Sequence, residues 1–306
     1  MTAVLTHHYF HYNSAKFISL PALLLVLNHL SRVKKMHLVS FNINSIRARI
    51  PQLEAIVSQY QPAVIGLQET KVQDLEFPIL ETQRLGYETI FHGQKGHYGV
   101  ALMTNLPILK VIKGLPGDTE DSQRRLVGAV LQLPNGDTIT VFNGYFPQGE
   151  NVEHVSKFPA KRDFYAGLTT LLNTEYKNTD HLVVMGDINV AAQDIDIGIG
   201  EDNRKRWLKS GKASFQPQER QWLNDLRQFG LTDSYRLLHP QSEYYSWFDY
   251  RSRGFEGEPR RGLRIDQILL TKSLLDCCNK ADIDYVVRGM EKPSDHCPIF
   301  VELNIT

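Results

Sequence analysis

The stretch Val183-Val184-Met185-Gly186-Asp187-Ile188-Asn189 runs from an apolar strand into a glycine, a carboxylate and, two residues on, an amide. Side chains alternate in direction along a strand, so Asp187 and Asn189 fall on one face at its tip. Gly186, lacking a side chain, leaves room there for a substrate to come close. A carboxylate beside an amide suits an anion handled with a metal ion or an activated water. Other segments repeat the form, an apolar strand with a polar tip: Phe41-Asn42-Ile43-Asn44, Gln68-Glu69-Thr70, Asn143-Gly144-Tyr145-Phe146-Pro147, Arg264-Ile265-Asp266 and Ser294-Asp295-His296. Pooled, they offer carboxylates at Glu69, Asp187, Asp266 and Asp295, amides at Asn42 and Asn189, the imidazole of His296 and the phenol of Tyr145. Oxygen ligands without sulfur suit Mg²⁺ or Mn²⁺ rather than a zinc cage. In-line hydrolysis of a phosphodiester needs a positioned water, a base and positive charge on the phosphoryl oxygens, and this set has those parts. An Asp-His pair orients and protonates the imidazole, making His296 a donor to a phosphate oxygen.

These tips require a scaffold of alternating strands and helices. His37-Leu38-Val39-Ser40-Phe41 is strand-like, and 49–60 reads as an amphipathic helix with Pro51 in its first turn and Pro62 blocking continuation. The pattern predicts strands over 63–67, 87–91, 99–103 and 182–186, and helices over 75–85, 159–177 and 217–229, the first and last stopped by Gly86 and Gly230. Residues 126–133 and 138–143 form a hairpin, for which Asn135-Gly136 suggests a type I′ turn. Further strands are expected near 244–248, 263–270, 283–287 and 297–303. Hairpins mixed with β-α-β units predict an α/β fold, two mixed β-sheets packed face to face and flanked by helices, as one domain from 36 to 306.

The chain has 306 residues, 42% hydrophobic and 22% charged, an ordinary globular composition. Its formal net charge is zero, yet residues 1–35 carry Lys16, Arg32, Lys34 and Lys35 and no acids. Any phosphate binding must therefore rest on local patches. The cysteines Cys277, Cys278 and Cys297 show no metal spacing and argue for reduced thiols in a cytoplasmic setting. The apolar run 17–27, with Pro21 inside it, falls short of the ~20 residues that span a bilayer. No A-x-A cleavage site follows it, and His7, His8 and His11 make a poor metal tract. Residues 1–35 read as an N-terminal extension outside the catalytic domain, with Met36 the natural start of that domain. Gly198-Ile199-Gly200 and Gly211-Lys212 fail as dinucleotide and P-loop signatures, because Asn203, Arg206 and Ala213 occupy positions those motifs reserve for other residues.

Taken in order, the polar-tipped segments resemble the endonuclease/exonuclease/phosphatase superfamily. The runs 92–99 and 246–252 narrow the likeness to its exonuclease III branch of class II AP endonucleases. The resemblance spans about 36–306 and implies a four-layer α/β sandwich and a monomeric, Mg²⁺-dependent DNA-repair phosphodiesterase, with Mn²⁺ able to substitute. It implies 3′→5′ exonuclease action on duplex DNA, cleavage 5′ to abasic sites and removal of 3′ phosphates and other 3′ blocks. It makes Glu69 the principal metal ligand, with Asn42 and Asp295 near it and Asp187 and Asn189 close to the metal. Asp187 orients or deprotonates the attacking water, Asn189 stabilises the phosphorane-like transition state, and Tyr145 lies beside the scissile phosphate. Asp266 supports the Asp-His pair and the water, and His296 contacts phosphate while held by Asp295.

Duplex DNA is the implied partner. Arg204, Lys205 and Arg206, with Lys209 and Lys212, form a basic cluster suited to phosphates. Trp247 and Phe248, beside Arg251, are expected to shape a small apolar pocket for an abasic nucleotide, which costs less to flip out than a paired base. The loop with Lys95 and His97 resembles one at the active-site rim near DNA. The same catalytic set could instead serve a lipid or inositol phosphate, or the chain could be a non-catalytic DNA-binding module, though that would predict the loss of an acidic position.

Overall fold

The computed structural model describes residues 34–305, so the expectations about the extension lie outside it apart from its last residues, Lys34 and Lys35. One sheet has the strand order β11-β12-β1-β2-β4-β3, built from β1 (Lys34–Asn42), β2 (Val64–Gln68), β3 (Glu88–His92), β4 (Val100–Thr104), β11 (Cys278–Ile283) and β12 (Ile299–Ile305). The other has the order β5-β6-β7-β8-β10-β9, built from β5 (Ile108–Lys113), β6 (Leu126–Gln132), β7 (Thr138–Tyr145), β8 (Leu182–Asp187), β9 (Leu231–Asp233) and β10 (Asp266–Thr271). Each sheet is mixed, with β1 and β2 parallel in one, β7 and β8 parallel in the other, and antiparallel neighbours beside them.

Period-two alternation builds the layers. Val64 of β2 packs into the core between the sheets with Val141 and Met185, while its neighbour Ile65 packs outward under helix α1 (Ile50–Tyr60). In β8, Val183 and Met185 face the inter-sheet core, and Val184 faces the helices α3 (Lys157–Glu175) and α5 (Pro217–Arg227). The shorter α2 (Ile79–Arg84) and α4 (Glu201–Ser210) lie between them in the chain. The result is helix, sheet, sheet, helix, as expected.

Several local expectations need correction. The helix expected over 75–85 is a short 3-10 turn, Asp74–Glu76, and then α2, because Pro78 interrupts it. The 133–137 turn has positive φ at Gly136 and not at Asn135, and Pro134 cannot adopt the positive φ of a type I′ turn; Gly136 N bonds Leu133 O at 2.9 Å in a type I-like turn. Residues 244–248 form no strand, only isolated bridges from Trp247 to Leu263 and His296. The strand expected over 283–287 lies one step earlier as β11, and Asp284 caps a helical turn, Tyr285–Arg288, by accepting from Val286 N and Val287 N. Two strands were not among those expected: the edge strand β5, although Ile108, Leu109, Val111 and Ile112 are apolar, and the three-residue β9.

Candidate active site

All the polar tips gather at one end of the two sheets. β1 ends at Asn42, β2 is followed by Glu69, β7 ends at Tyr145 and β8 at Asp187; β10, antiparallel to β8, begins there with Asp266 opposite Asp187. Ser294 Oγ donates to Asn42 O at 2.6 Å, which brings the 294–296 segment to the same end. A clamp of polar groups fixes the sheets to each other beneath the site. Asn143 of β7 donates from Nδ2 to Leu67 O and Ala101 O in the opposite sheet, both at 2.9 Å. Gly186 serves packing, not substrate: its φ is +144°, and a Cβ there would lie 1.9 Å from Gly144 O. The close approach is that of β7 itself.

Within the site, Asn42 is buried and donates from Nδ2 to Glu69 Oε1 and to Asp187 Oδ2, each at 2.9 Å. Lys71 Nζ lies 2.9 Å from the other Glu69 oxygen. Asp187 Oδ1 accepts from Asn189 N at 3.0 Å, while Asn189 Nδ2 donates to Phe146 O at 2.9 Å. The Asn189 carbonyl in turn accepts from the fully buried Lys161, which is paired with Glu219.

The histidine's partner is not the one expected. His296 Nδ1 bonds both oxygens of Asp266, at 2.9 and 3.1 Å, and its Nε2 lies 3.7 Å from Asp187 Oδ2. Asp295 points elsewhere, accepting from Asn44 Nδ2 at 2.8 Å and Trp247 Nε1 at 3.0 Å. Adjacent residues of an extended chain face opposite ways, so Asp295 cannot hold its own neighbour's ring.

Burial and these charges set the protonation states. Burial, with the Asp266 and Glu69 charges, pushes Asp187 up to about 7 against the pull of His296 and Asn42. Burial alone would lower His296, but the Asp266 and Asp187 carboxylates push it up to about 10, so it is an imidazolium at neutral pH. Burial, then Glu69 and Asp187, hold the Tyr145 phenol well above its ordinary range, so it remains a donor.

Glu69, Asp187 and His296 offer ligand-type atoms that all lie within 4.8 Å of one another. His296 is engaged through Nδ1 by Asp266, and the carboxylates of Glu69 and Asp187, bridged by the Asn42 amide, are the oxygen groups that fit a divalent cation. The donor set is hard oxygen, which fits Mg²⁺ chemistry. Asp295 does not join this group.

On the rim, Trp247 is partly exposed, and with Trp207, Arg206, Asn203 and Arg261 it lines a cavity of about 130 Å³. Phe248 does not shape that cavity: it is fully buried, 5.1 Å from the Phe255 ring and 5.8 Å from the Tyr285 ring. Alternation again sends it to the side opposite Trp247. Arg204 pairs with Asp194 at 3.0 Å and Glu201 at 2.9 Å, and Lys205 pairs with Glu201 at 3.4 Å, so Arg206 alone of the three lines the cavity. Lys95, His97 and Arg251 are exposed.

Residues 39–296 match the Endonuclease/Exonuclease/phosphatase family. The chain belongs to this family. It is 52% identical over 268 residues to exodeoxyribonuclease III of Haemophilus influenzae, covering 87% of this chain and 99% of that protein. Among solved structures it is similar to a 3′ phosphatase from Neisseria bound to a product DNA hairpin, with TM-score 0.79, 32% identity, and 88% of this chain and 100% of that one covered. An AP endonuclease from Archaeoglobus fulgidus gives TM-score 0.79 at 31% identity over the same shares. These likenesses make the chain a hydrolase of the nuclease kind, and the two-sheet sandwich is that of the family. Sequence reasoning missed Asn44, Lys71, Ser246 and Lys161, which hold the side chains or backbone of Asp295, Glu69, Asp266 and Asn189. Asn44 and Ser246 stood inside the quoted segments and Lys71 just beyond one, but nothing local marked Lys161.

Proposed function

We propose that this protein is a Mg²⁺-dependent DNA-repair nuclease that degrades duplex DNA 3′→5′, incises 5′ to abasic sites and clears 3′ phosphates and other 3′ blocks. The observation that carries the reading is the convergence of Glu69, Asp187, Asp266 and His296 at one end of two sheets, in a chain 52% identical to an exodeoxyribonuclease III. Glu69 and Asp187, with Asn42, would hold the metal, and Asp295 supports the rim through Trp247 and Asn44. A bound metal supplies positive charge to the phosphoryl oxygens. Asp187, poised near neutrality by burial, aims the attacking water and receives its proton. His296, kept charged by Asp266, donates to a phosphate oxygen, as does the Tyr145 hydroxyl. The free hydrogen of the Asn189 amide is placed to stabilise charge that develops in the transition state.

Trp247 and Arg206 border a cavity that suits a nucleotide without its base. The catalytic unit in this proposal is 36–306, acting as a monomer in the cytoplasm; among the described residues no helix is long and apolar enough to cross a membrane. A duplex with an internal abasic site, incubated with and without Mg²⁺, tests the reading. Incision 5′ to the site and a 3′→5′ ladder are expected only with the metal, from the full chain and from a chain lacking 1–35. No incision of that duplex under any divalent metal refutes it.

A further inference from the structure

Lys161 on α3 and Glu219 on α5 are fully buried and paired, and neither enters the chemistry above. An ammonium has three N–H donors. Lys161 places one on Glu219, one on the Asn189 carbonyl at 2.8 Å and one on the Gln148 carbonyl at 3.2 Å. Burial pulls this ammonium down and the Glu219 carboxylate opposes the pull, so Glu219 favours the form that has all three protons. The two carbonyls lie just beyond the ends of β8 and β7, which carry Asp187 and Tyr145.

Glu219 reaches a third segment. Its carboxylate accepts from Ser214 N at 2.8 and 3.0 Å and from Gln216 N at 2.8 Å. Between these two, Phe215 stacks on Trp207, with centroids 5.7 Å apart and planes within 2°. Gln216 Nε2 also donates to Trp207 O at 3.2 Å. Trp207 lines the rim cavity together with Trp247. One ion pair thus joins the Asn189 turn, the loop after Tyr145 and the wall of the cavity. The backbone it holds is strained: φ is +55° at Asn189 and +116° at Ser214. Such conformations persist only where the surroundings hold them. Lys161 holds the first at its carbonyl and Glu219 the second at its amide. A buried ion pair adds little net stability over apolar side chains of similar size, so stability alone does not account for this one.

We infer that Lys161 and Glu219 are positioning residues for the hydrolysis. They fix the Asn189 amide relative to the Trp207 wall, so that a nucleotide seated on that wall presents its phosphate to the amide. The inference rests on the role given to Asn189 in the proposed function.

The test is a double-mutant cycle on the full chain, read as kcat and KM on an abasic duplex with Mg²⁺. Lys161→Met combined with Glu219→Gln removes both charges and the contact to Asn189 O, yet leaves an acceptor for Ser214 N and Gln216 N. Asn189→Gly removes the amide and tolerates the positive φ. The Lys161/Glu219 variant is expected to lose about tenfold to a hundredfold in kcat, the effect of a misplacement of order 1 Å, with KM within about twofold of wild type. Introduced into Asn189→Gly, the same pair of changes should cost less than about twofold more, because no amide is left to place. An equal loss in both backgrounds marks a merely structural role and overturns the inference, as does a variant with wild-type kcat. Should the variant melt below the assay temperature, Lys161→Gln alone, which leaves the Glu219 contacts to Ser214 and Gln216, runs the same cycle. An Asn189→Gly variant as fast as wild type also overturns the inference, since the amide then has no role to support. Failure of the wild type to cut the duplex would count against the proposed function instead.

Discussion

Replacing Asp266 by asparagine keeps the shape of the site and removes one charge, and its effect can be worked out donor by donor. Ser246 Oγ already accepts from Ile265 N at 3.1 Å and Asp266 N at 3.0 Å, so its proton is committed to Asp266 Oδ2 at 2.6 Å. His296 Nδ1 donates to the same carboxylate. Asparagine offers one oxygen to these two donors, and its NH₂ must face the other. One charge-assisted hydrogen bond is lost, worth about 1.5–3 kcal/mol. The imidazolium loses more, since Asp266 is the largest of the charges that push His296 up to about 10. A tenfold change in proton affinity is about 1.4 kcal/mol. The expected fall in kcat on an abasic duplex at neutral pH is therefore about tenfold to a hundredfold. It should deepen as pH rises, because the variant's imidazole gives up its proton earlier.

The same change has a signature in stability. The folded-state pKa of His296 lies above its unfolded value of about 6.5. The attraction therefore contributes fully below about 6.5 and is lost as pH rises through about 10. Urea denaturation of chelator-treated protein should show the gap between wild type and Asp266→Asn widest below neutrality and closing across that window. A gap that widens with pH, or a variant within twofold of wild-type kcat, would refute the assignment of Asp266 as the histidine's partner.

Asp187→Asn should reduce cleavage by about a thousandfold or more while leaving duplex binding in chelator intact, as read by anisotropy, since it removes the base and keeps the shape. Trp247→Ala should hurt action on abasic duplex more than removal of a 3′ phosphate, whereas Phe248→Ala should cost about 3–5 kcal/mol of stability and leave that selectivity unchanged; melting curves and paired assays separate them. Asp196 is buried between Arg264 at 2.7 Å and Arg236 at 2.5 Å, so Asp196→Asn should cost about 3–5 kcal/mol. Burial opposes its ionisation, but the two arginines hold Asp196 below the ordinary carboxylate range, so this stability is present above about pH 4 and lost as pH falls through the folded value. Denaturation at neutral and acid pH checks that sign.

The sheet order could not be read from the sequence, but the strand tips could, because a tip is a local event in which apolar alternation stops and a polar group follows. That is why Asn42, Glu69, Tyr145, Asp187, Asp266 and His296 were legible one segment at a time and did meet. What failed was choosing partners across long separations. Asp266 and Asp295 both flank His296 in chemistry, and only the antiparallel pairing of β10 with β8 decides that Asp266 lies under the ring. Phe248 was misread for a related reason: its neighbour faces the rim, and a pair of aromatics gives no sign of which one the core takes. Lys161 was invisible because it is a polar residue on a helix whose legible face is apolar, and its partner Glu219 lies on another helix.

Backbone strain explains how tips on separate strands can aim into one gap. A strand that simply continued would keep alternating its side chains up and down. Here the chain turns sharply at the tips: φ is +52° at Glu69, +58° at Lys71, +55° at Asn189 and +47° at Asn44. For residues other than glycine such conformations cost of order 1–3 kcal/mol each, so each must be held. Glu69 O accepts from Ser45 N at 2.7 Å, Lys71 N donates to Tyr98 O at 3.0 Å, and Lys71 Nζ reaches Asn44 Oδ1 at 2.5 Å. Asn189 is held at its amide by Asp187, at its side chain by Phe146 O and at its carbonyl by Lys161. The fixed partners are the rigid parts: the sheets clamped by Asn143 and the buried Lys161–Glu219 pair between helices. The strained turns belong to residues that border the candidate site, and the apolar layers beneath hold them there.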